Sequence, residues 1–523
     1  MSAVSFIQYG LLLVIAGCLA KLILLTRPPK GLPPGPPPLP ILGNIRDMPP
    51  SGGRTWEHWA KFKELYGPIG ALTTFGTTLI IISDYDLAVE LLQKNSGISA
   101  DRAQPTFLAE MCQWWGNTAL IPYGTQHRNS RKQIASVFGS DKLLTKFNHM
   151  QDLEVRRFLL RVLKQPESLL HHIRTEIGAI ILKITYGYNA ATDSSDPLVE
   201  LADTCVREIG EAANVGAWLV DLIPALKNLP SWFPGTSFKQ TALQFKRTAY
   251  EGAVRPWKFV EAQMADGQHT PSYVSDLLER AGGKMSQEET FYAKWTALSV
   301  YLGGADTSAS AIASFFLAMT WHPEIQEKAR EEIARVVGSG RLPELSDRPS
   351  MPYIEAIAKE SLRWHPFVPE GVPHLMTAET TLAGYRIPEG AIIIAAAWSM
   401  GHDKNIYSEP DQFNPERYLG DTPEMEPRNF VFGFGRRICP GKLLAEQSVF
   451  LTIAKVLSVF EIAGPKQGEG CPISFDPGLV SHPHHFEAAI RPRSQEHAAL
   501  ILAVEKEPQV KSSAEILKNI TSW

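Results

Sequence analysis

Ten residues near the C-terminal end constrain this chain most: Phe432-Gly433-Phe434-Gly435-Arg436-Arg437-Ile438-Cys439-Pro440-Gly441. A single cysteine sits in a loop of glycines and arginines, and a helix-forming run, Lys442-Leu443-Leu444-Ala445-Glu446-Gln447, follows at once. Each residue type has a use if Cys439 holds a heme iron. The thiolate is the ligating form of cysteine, and a metal or nearby cations stabilise it. Gly435 and Gly441 allow a tight turn and a close approach to a flat macrocycle. The guanidinium of Arg437 matches the carboxylate of a heme propionate. A cysteine just before a helix start also lies where the dipole favours negative charge. The plain alternative is a free buried cysteine in a glycine-rich turn. The joint spacing of Phe432, Gly435, Arg437, Cys439 and Gly441 outweighs it.

The other cysteines, Cys18, Cys112, Cys205 and Cys471, are widely spread and include no C-x-x-C pair. That argues against a disulfide framework or a zinc site and fits a reducing compartment. A net charge of −4 gives no sign of a nucleic-acid binder. At 523 residues, 44% of them hydrophobic, the chain can bury a large core. Length alone would suggest two to four domains.

The cysteine loop resembles the heme-binding loop of cytochrome P-450, the heme-thiolate monooxygenases, and other motifs occur in that family's order. Ser286-Gln287-Glu288-Glu289 is a capping box opening a long helix. Gly303-Gly304-Ala305-Asp306-Thr307-Ser308 interrupts its apolar pattern, and glycines in a helix interior cost roughly 1 kcal/mol each. This stretch resembles the family's oxygen-binding segment. The resemblance implies that small residues, Gly304 among them, leave room above the iron. It also implies that Thr307 hydrogen-bonds oxygen there and Asp306 relays protons. Glu360-Ser361-Leu362-Arg363, followed by Phe413-Asn414-Pro415-Glu416-Arg417-Tyr418, resembles the family's brace. In it Glu360, Arg363 and Arg417 form a network that supports the cysteine loop. In 122–132, Arg131 fits the family's propionate-binding arginine, and His127 stands four residues earlier where tryptophan is usual. That spacing puts both on one helix face. His374 falls where the family often has a basic residue for a propionate, and Phe432 and Gly441 complete the implied heme-binding set.

Residues 4–25 form an apolar run with one charge, Lys21, long enough to span a bilayer. Arg27 and Lys30 follow it, so the positive-inside rule leaves the C-terminal bulk in the cytosol. The expected organisation is a transmembrane anchor (1–27), a proline-rich hinge (28–44) and a catalytic domain (45–523). The expected fold is mostly α with small β-sheets (α+β), the cytochrome P-450 fold as a single large domain. Short β-prone runs flank Phe75-Gly76-Thr77 as a hairpin, 391–397 reads as a buried strand, and the segments of 140–290 break at prolines, Pro256 among them. Residues 218–232 resemble a region that dips into the bilayer in anchored members, and 476–483 resembles the C-terminal substrate turn.

The implied reaction inserts one oxygen atom of O₂ into an apolar small molecule on heme b, in the endoplasmic reticulum membrane. No Gly-x-Gly-x-x-Gly fingerprint for NADPH or flavin is present. Electrons are therefore expected from a partner, NADPH–cytochrome reductase, with cytochrome b5 as a second candidate. Arg436, Lys442, Arg128 and Lys132 are candidates for the docking face. The phrasing of 31–44 and 476–483 resembles fungal, especially basidiomycete, members of secondary metabolism, which points to a terpenoid or other natural product. Two alternatives stand: a heme-thiolate peroxygenase or isomerase needing no reductase, and a non-enzymatic heme sensor.

Overall fold

The computed structural model describes residues 13, 17, 21, 24, 26–50, 52–191, 195–214, 216–466, 470–508, 511–518 and 520. Most of the 4–25 run lies outside them. Among the described residues no helix is long and apolar enough to cross a membrane. The expectation of a mostly helical chain with small sheets is met. The residues cluster into two compact units.

The smaller unit comprises Met1–Ala103, Glu370–Met400 and Gly433–Arg437. Helix α1 (Thr55–Tyr66) precedes the hairpin β1 (Ile69–Thr74) and β2 (Thr77–Ile82), paired antiparallel with Thr74 opposite Thr77. Phe75 and Gly76 both take positive φ (49° and 84°), as a two-residue turn matched to strand twist requires. After β3 (His374–Leu375) and the separate hairpin β4 (Thr380–Leu382) and β5 (Tyr385–Ile387), β6 (Ile392–Ala395) pairs parallel to β2 and antiparallel to β3. The sheet order is β1-β2-β6-β3. Trp59 and Phe62 of α1 pack on Leu72, Leu79, Ile81 and Ile394. The proline-rich stretch is hydrogen-bonded into this unit: Ala71 N donates to Pro34 O (2.9 Å), and Asn44 N donates to Thr73 O (2.7 Å). A Cβ on Gly35 would stand 2.0 Å from Ala71 O, so only glycine fits where that stretch lies along β1.

The larger unit comprises Gln104–Pro369, Gly401–Phe432 and Ile438–Trp523. Its helices are α2 (Thr125–Phe138), α3 (Asn148–Lys164), α4 (Leu169–Tyr186), α5 (Pro197–Ala212), α6 (Phe238–Ala265), α7 (Tyr273–Ala281), α8 (Gln287–Met319), α9 (Pro323–Val336), α10 (Pro352–Trp364) and α11 (Lys442–Val459). The hairpin β7 (Phe460–Ala463) and β8 (Ala489–Pro492) follows. The capping box forms as read: Ser286 Oγ accepts from Glu289 N, and Glu289 Oε2 accepts from Ser286 N. From Ser308 to Met319 every residue of α8 is buried, and a helix apolar all round belongs at a centre. It packs against α4, α5, α6, α10 and α11. Helix α8 runs 33 residues through Gly303 and Gly304, as expected. One expectation fails: Pro256 does not break its segment but lies buried inside the 28-residue α6. In both helices burial outweighs a local propensity cost.

A buried polar layer joins α3, α4 and α11. Thr452 Oγ1 donates to Glu176 Oε1 (2.7 Å), Ser448 Oγ donates to Gln151 Oε1 (2.8 Å), and Lys455 pairs with Asp152. Burial pushes the Glu176 carboxyl up to about 8, against the opposing pull of the Thr452 hydroxyl and Arg161. An acid raised in the folded state contributes stability that is whole below its unfolded value and lost as pH rises toward the folded one. Glu176→Gln should therefore gain on the native protein progressively from about pH 4.5 to about pH 8, by at most about 5 kcal/mol, and stay level above. Thermal midpoints across that range check this; parallel curves would rule it out.

Candidate active site

Within the larger unit, Cys439 lies just ahead of α11, whose N-cap is Gly441. Cys439 N donates to Phe432 O (2.8 Å), closing the loop, and the Gly441 and Lys442 backbone N–H groups both point at the thiol. Burial pushes the thiol up, while those two N–H groups and the cations of Arg131 and Lys442 oppose the shift. The loop thus stabilises a thiolate from its own backbone. Gly441 does so with an ordinary φ of −94°, not the tight-turn conformation expected of it. Phe432 is buried, its ring 5.8 Å from that of Phe367 and beneath Lys442 Nζ. Arg131, half-buried on α2, donates from Nη1 to Ile438 O and so sits against the cysteine loop. His127, one turn earlier, is buried with its ring 5.5 Å from Tyr123.

On α8, Thr307 Oγ1 donates back to Gly303 O at 2.6 Å. A Cβ on Gly303 would meet nothing within 4 Å, whereas one on Gly304 would lie 3.0 Å from Ile181 Cδ1. Of the two glycines, Gly303 faces open space and Gly304 lets α8 approach α4. Asp306 Oδ1 meets His482 Nε2 at 2.9 Å.

The brace is fully formed. Arg363 places its five N–H groups on five acceptors: both Glu360 oxygens (2.8 Å each), Gly401 O and Pro410 O (2.7 Å each) and Gln412 O (3.0 Å). Glu360 also accepts from Arg417 Nε (3.2 Å), Asn414 N (2.8 Å) and the Tyr418 hydroxyl (3.0 Å). Glu360 and Arg363 are wholly buried, and both guanidinium groups lie over the Tyr407 ring. Burial alone would pull Arg363 down; the Glu360 carboxylate outweighs it and holds the charge.

The smaller unit carries a second cluster. Gly435 takes φ +53°, and a Cβ there would fall 2.3 Å from Leu92 O, so its glycine is obligatory. Arg437 Nε donates to Ala100 O (2.6 Å), and His374 Nδ1 donates to Ser99 O (2.8 Å), leaving Nε2 as the free face of the ring. Close by is Arg102, buried, with Nη1 on Val372 O (2.9 Å) and Pro373 O (2.7 Å). Burial, then the neighbouring Arg437, hold Arg102 well below its usual range; burial, then Arg102, do the same to His374. A cluster of basic groups that lowers two of its own members in this way is suited to a ligand bearing carboxylates. Sequence reasoning missed Arg102, because only its burial and its partners some 270 positions away mark it.

The cytochrome P-450 family model matches residues 33–490. The chain belongs to the cytochrome P-450 family. It is 44% identical to cytochrome P-450 monooxygenase ppsD of Aspergillus oryzae over 94% of each chain. It is 43% identical to monooxygenase claR of Ampulloclitocybe clavipes (91% of this chain, 89% of that one), and 37% identical to O-methylsterigmatocystin oxidoreductase of Aspergillus flavus (93% and 92%). It is thus a monooxygenase of a family that carries heme b, with relatives in fungal secondary metabolism. Within the larger unit, a thiol backed by two N–H groups and flanked by the Arg131 and Lys442 cations fits an iron porphyrin.

Removing one partner of a buried ion pair costs about 3–5 kcal/mol. Glu360→Ala should accordingly lower the yield of folded, heme-loaded protein severely. Arg417→Lys, which keeps the charge but loses the fork, should lower it less. Heme content per protein, by pyridine hemochrome, reads the difference; native heme loading in Glu360→Ala would refute the role.

Proposed function

We propose that this cytochrome P-450 is a membrane-anchored enzyme of fungal secondary metabolism. It oxidises an apolar small molecule, by preference a terpenoid, with O₂ and electrons that NADPH–cytochrome reductase passes on. The balance is RH + O₂ + two electrons + two protons → ROH + water. The observation that carries this reading is the Gly441 and Lys442 N–H groups at the start of α11, which with the Arg131 and Lys442 cations oppose the proton that burial favours on Cys439. A heme held there by the thiolate would supply O–O cleavage.

Around that chemistry the chain holds charge and moves protons. Cys439 would hold the heme iron. Arg131 and His127 on α2 would pair with a propionate, and the sequence offers Arg437 and His374 for the same role. Asp306 carries protons toward Thr307, whose hydroxyl is oriented by its bond to Gly303. Glu360, Arg363 and Arg417 keep the segment before the cysteine loop in place. Residues 1–27 anchor the chain in the endoplasmic reticulum membrane. Leu219, Ile223 and Trp232, 65%, 53% and 81% exposed, support a second contact with lipid. Exposed Arg128 and Lys132 on α2 support a basic docking face for the reductase.

In yeast microsomes containing reductase, the native protein should give the Soret band of a thiolate-ligated carbon monoxide complex on reduction, and Cys439→Ala should lose it. Retention of that band in Cys439→Ala would sink the assignment of the ligand. Incubation with a panel of sesquiterpenes and with 7-ethoxycoumarin, read by mass spectrometry, should give NADPH-dependent products one oxygen heavier from at least one terpene. Oxidation of none of them would sink the substrate class.

A further inference from the structure

Asp306 has a partner that belongs to a different part of the chain. Its Oδ1 lies 2.9 Å from His482 Nε2, and the two side chains are only 13% and 15% exposed. Its other oxygen, Oδ2, is buried without a hydrogen-bond partner among the described residues. His482 is carried on the 476–483 turn, and the residue before it fixes that turn from several sides. Ser481 is fully buried. Its N donates to Phe367 O (2.9 Å), its Oγ meets His365 Nε2 (2.8 Å) and donates to Asp476 O (2.9 Å), and its carbonyl accepts from Ser310 Oγ. Ser310 is one helical turn along α8 from Asp306. The backbone thus delivers the imidazole to the carboxylate by construction. A cleft of about 20 Å³, with room for one water, adjoins Asp306 and is lined also by Arg174 of α4 and Asp203 of α5, both exposed. Asp203 of α5 feels the charges of Asp306 and His482, as well as those of Arg174 and His171 from α4. Within the turn itself, His484 pairs with Asp476 (2.7 Å).

We propose that His482 supplies protons to Asp306, so that the turn carrying it serves proton delivery as well as the substrate wall. This rests on the monooxygenase reading above, whose stoichiometry demands two protons per O₂. In each transfer the Nε2–H bond of the imidazolium breaks and an O–H bond forms at Asp306 Oδ1. A neutral imidazole and a neutral carboxyl remain. Surface water returns a proton to His482, and Asp306 releases its own toward Thr307. Histidine suits this because its charge changes between about pH 5 and 8. His482 is a positioning residue: it acts through Asp306.

The test uses the full-length holoenzyme with reductase and 7-ethoxycoumarin, and reads the share of NADPH electrons recovered in hydroxylated product rather than in hydrogen peroxide. Native coupling should fall as pH rises from 6 to 8.5. His482→Gln retains a hydrogen bond to Asp306 but cannot titrate; its coupling should be at least about fivefold lower at pH 6.5 and flat with pH. Native coupling and a native pH profile in His482→Gln would reduce His482 to a tie between turn and helix and overturn the proposal. A second readout needs no turnover. In the resting protein at pH 6.5, diethyl pyrocarbonate should modify His482 at least about threefold faster in Asp306→Asn than in the native chain, because Nε2 is no longer engaged by the carboxylate. Equal rates would overturn the pairing. The reduced carbon monoxide spectrum separates the two readings: a native protein without the thiolate band defeats the monooxygenase assignment, while variants that keep the band and their coupling defeat only the role of His482.

Discussion

The buried Glu360–Arg363–Arg417 network is the constraint on which the larger unit depends. Two guanidinium groups and one carboxylate leave water together, and desolvation on that scale is tolerable only if nearly every donor finds an acceptor. Here the acceptors are mostly backbone carbonyls of 401–412, together with Ser408 O and Glu424 for Arg417. That segment has little regular secondary structure to satisfy its own carbonyls, so the arginines substitute for a helix or a strand ladder. The network therefore dictates the path of the chain from α10 toward Phe432, the residue whose carbonyl then closes on Cys439 N.

A similar economy governs the sulfur. A buried thiol left to itself would keep its proton, and burial is indeed the dominant influence on Cys439. What opposes it is mostly short-range and structural: two N–H groups at a helix start and two cations from α2 and α11. The long apolar body of α11 is what makes those N–H groups reliable, since a helix buried from Gln447 to Val459 cannot fray at its start without disturbing the core. Packing thus reaches the sulfur: a helix buried along most of its length also sets the two N–H groups that oppose the upward push of burial on Cys439.

Much of this was legible in the sequence because the chemistry is local. A cysteine four residues after a left-handed glycine and just before a helix, a capping box, and an arginine three residues after a glutamate are all short-range patterns, and each took its expected form. What stayed illegible depends on partners distant in the chain. Arg102 looks like any arginine beside an aspartate until Val372 and Pro373 bring their carbonyls to it. Gly303 and Gly304 are indistinguishable until the helix phase turns one toward space and the other onto Ile181. Pro256 reads as a break because propensity is local, and burial in α6 overrides it.

The 476–483 turn is fastened to the helical body at one residue. Ser481 is held by four separate hydrogen bonds to α8, to the segment after α10 and within the turn. Such a fastening would be excessive for a wall that only shapes a cavity, because apolar contact tolerates small displacements. A hydrogen bond between an imidazole and a carboxylate does not, since it weakens steeply with distance and angle. The fastening of the turn at Ser481 is thus matched to the geometric demand of the neighbouring His482–Asp306 pair, and Asp476 N adds to it by donating to His482 O (2.8 Å).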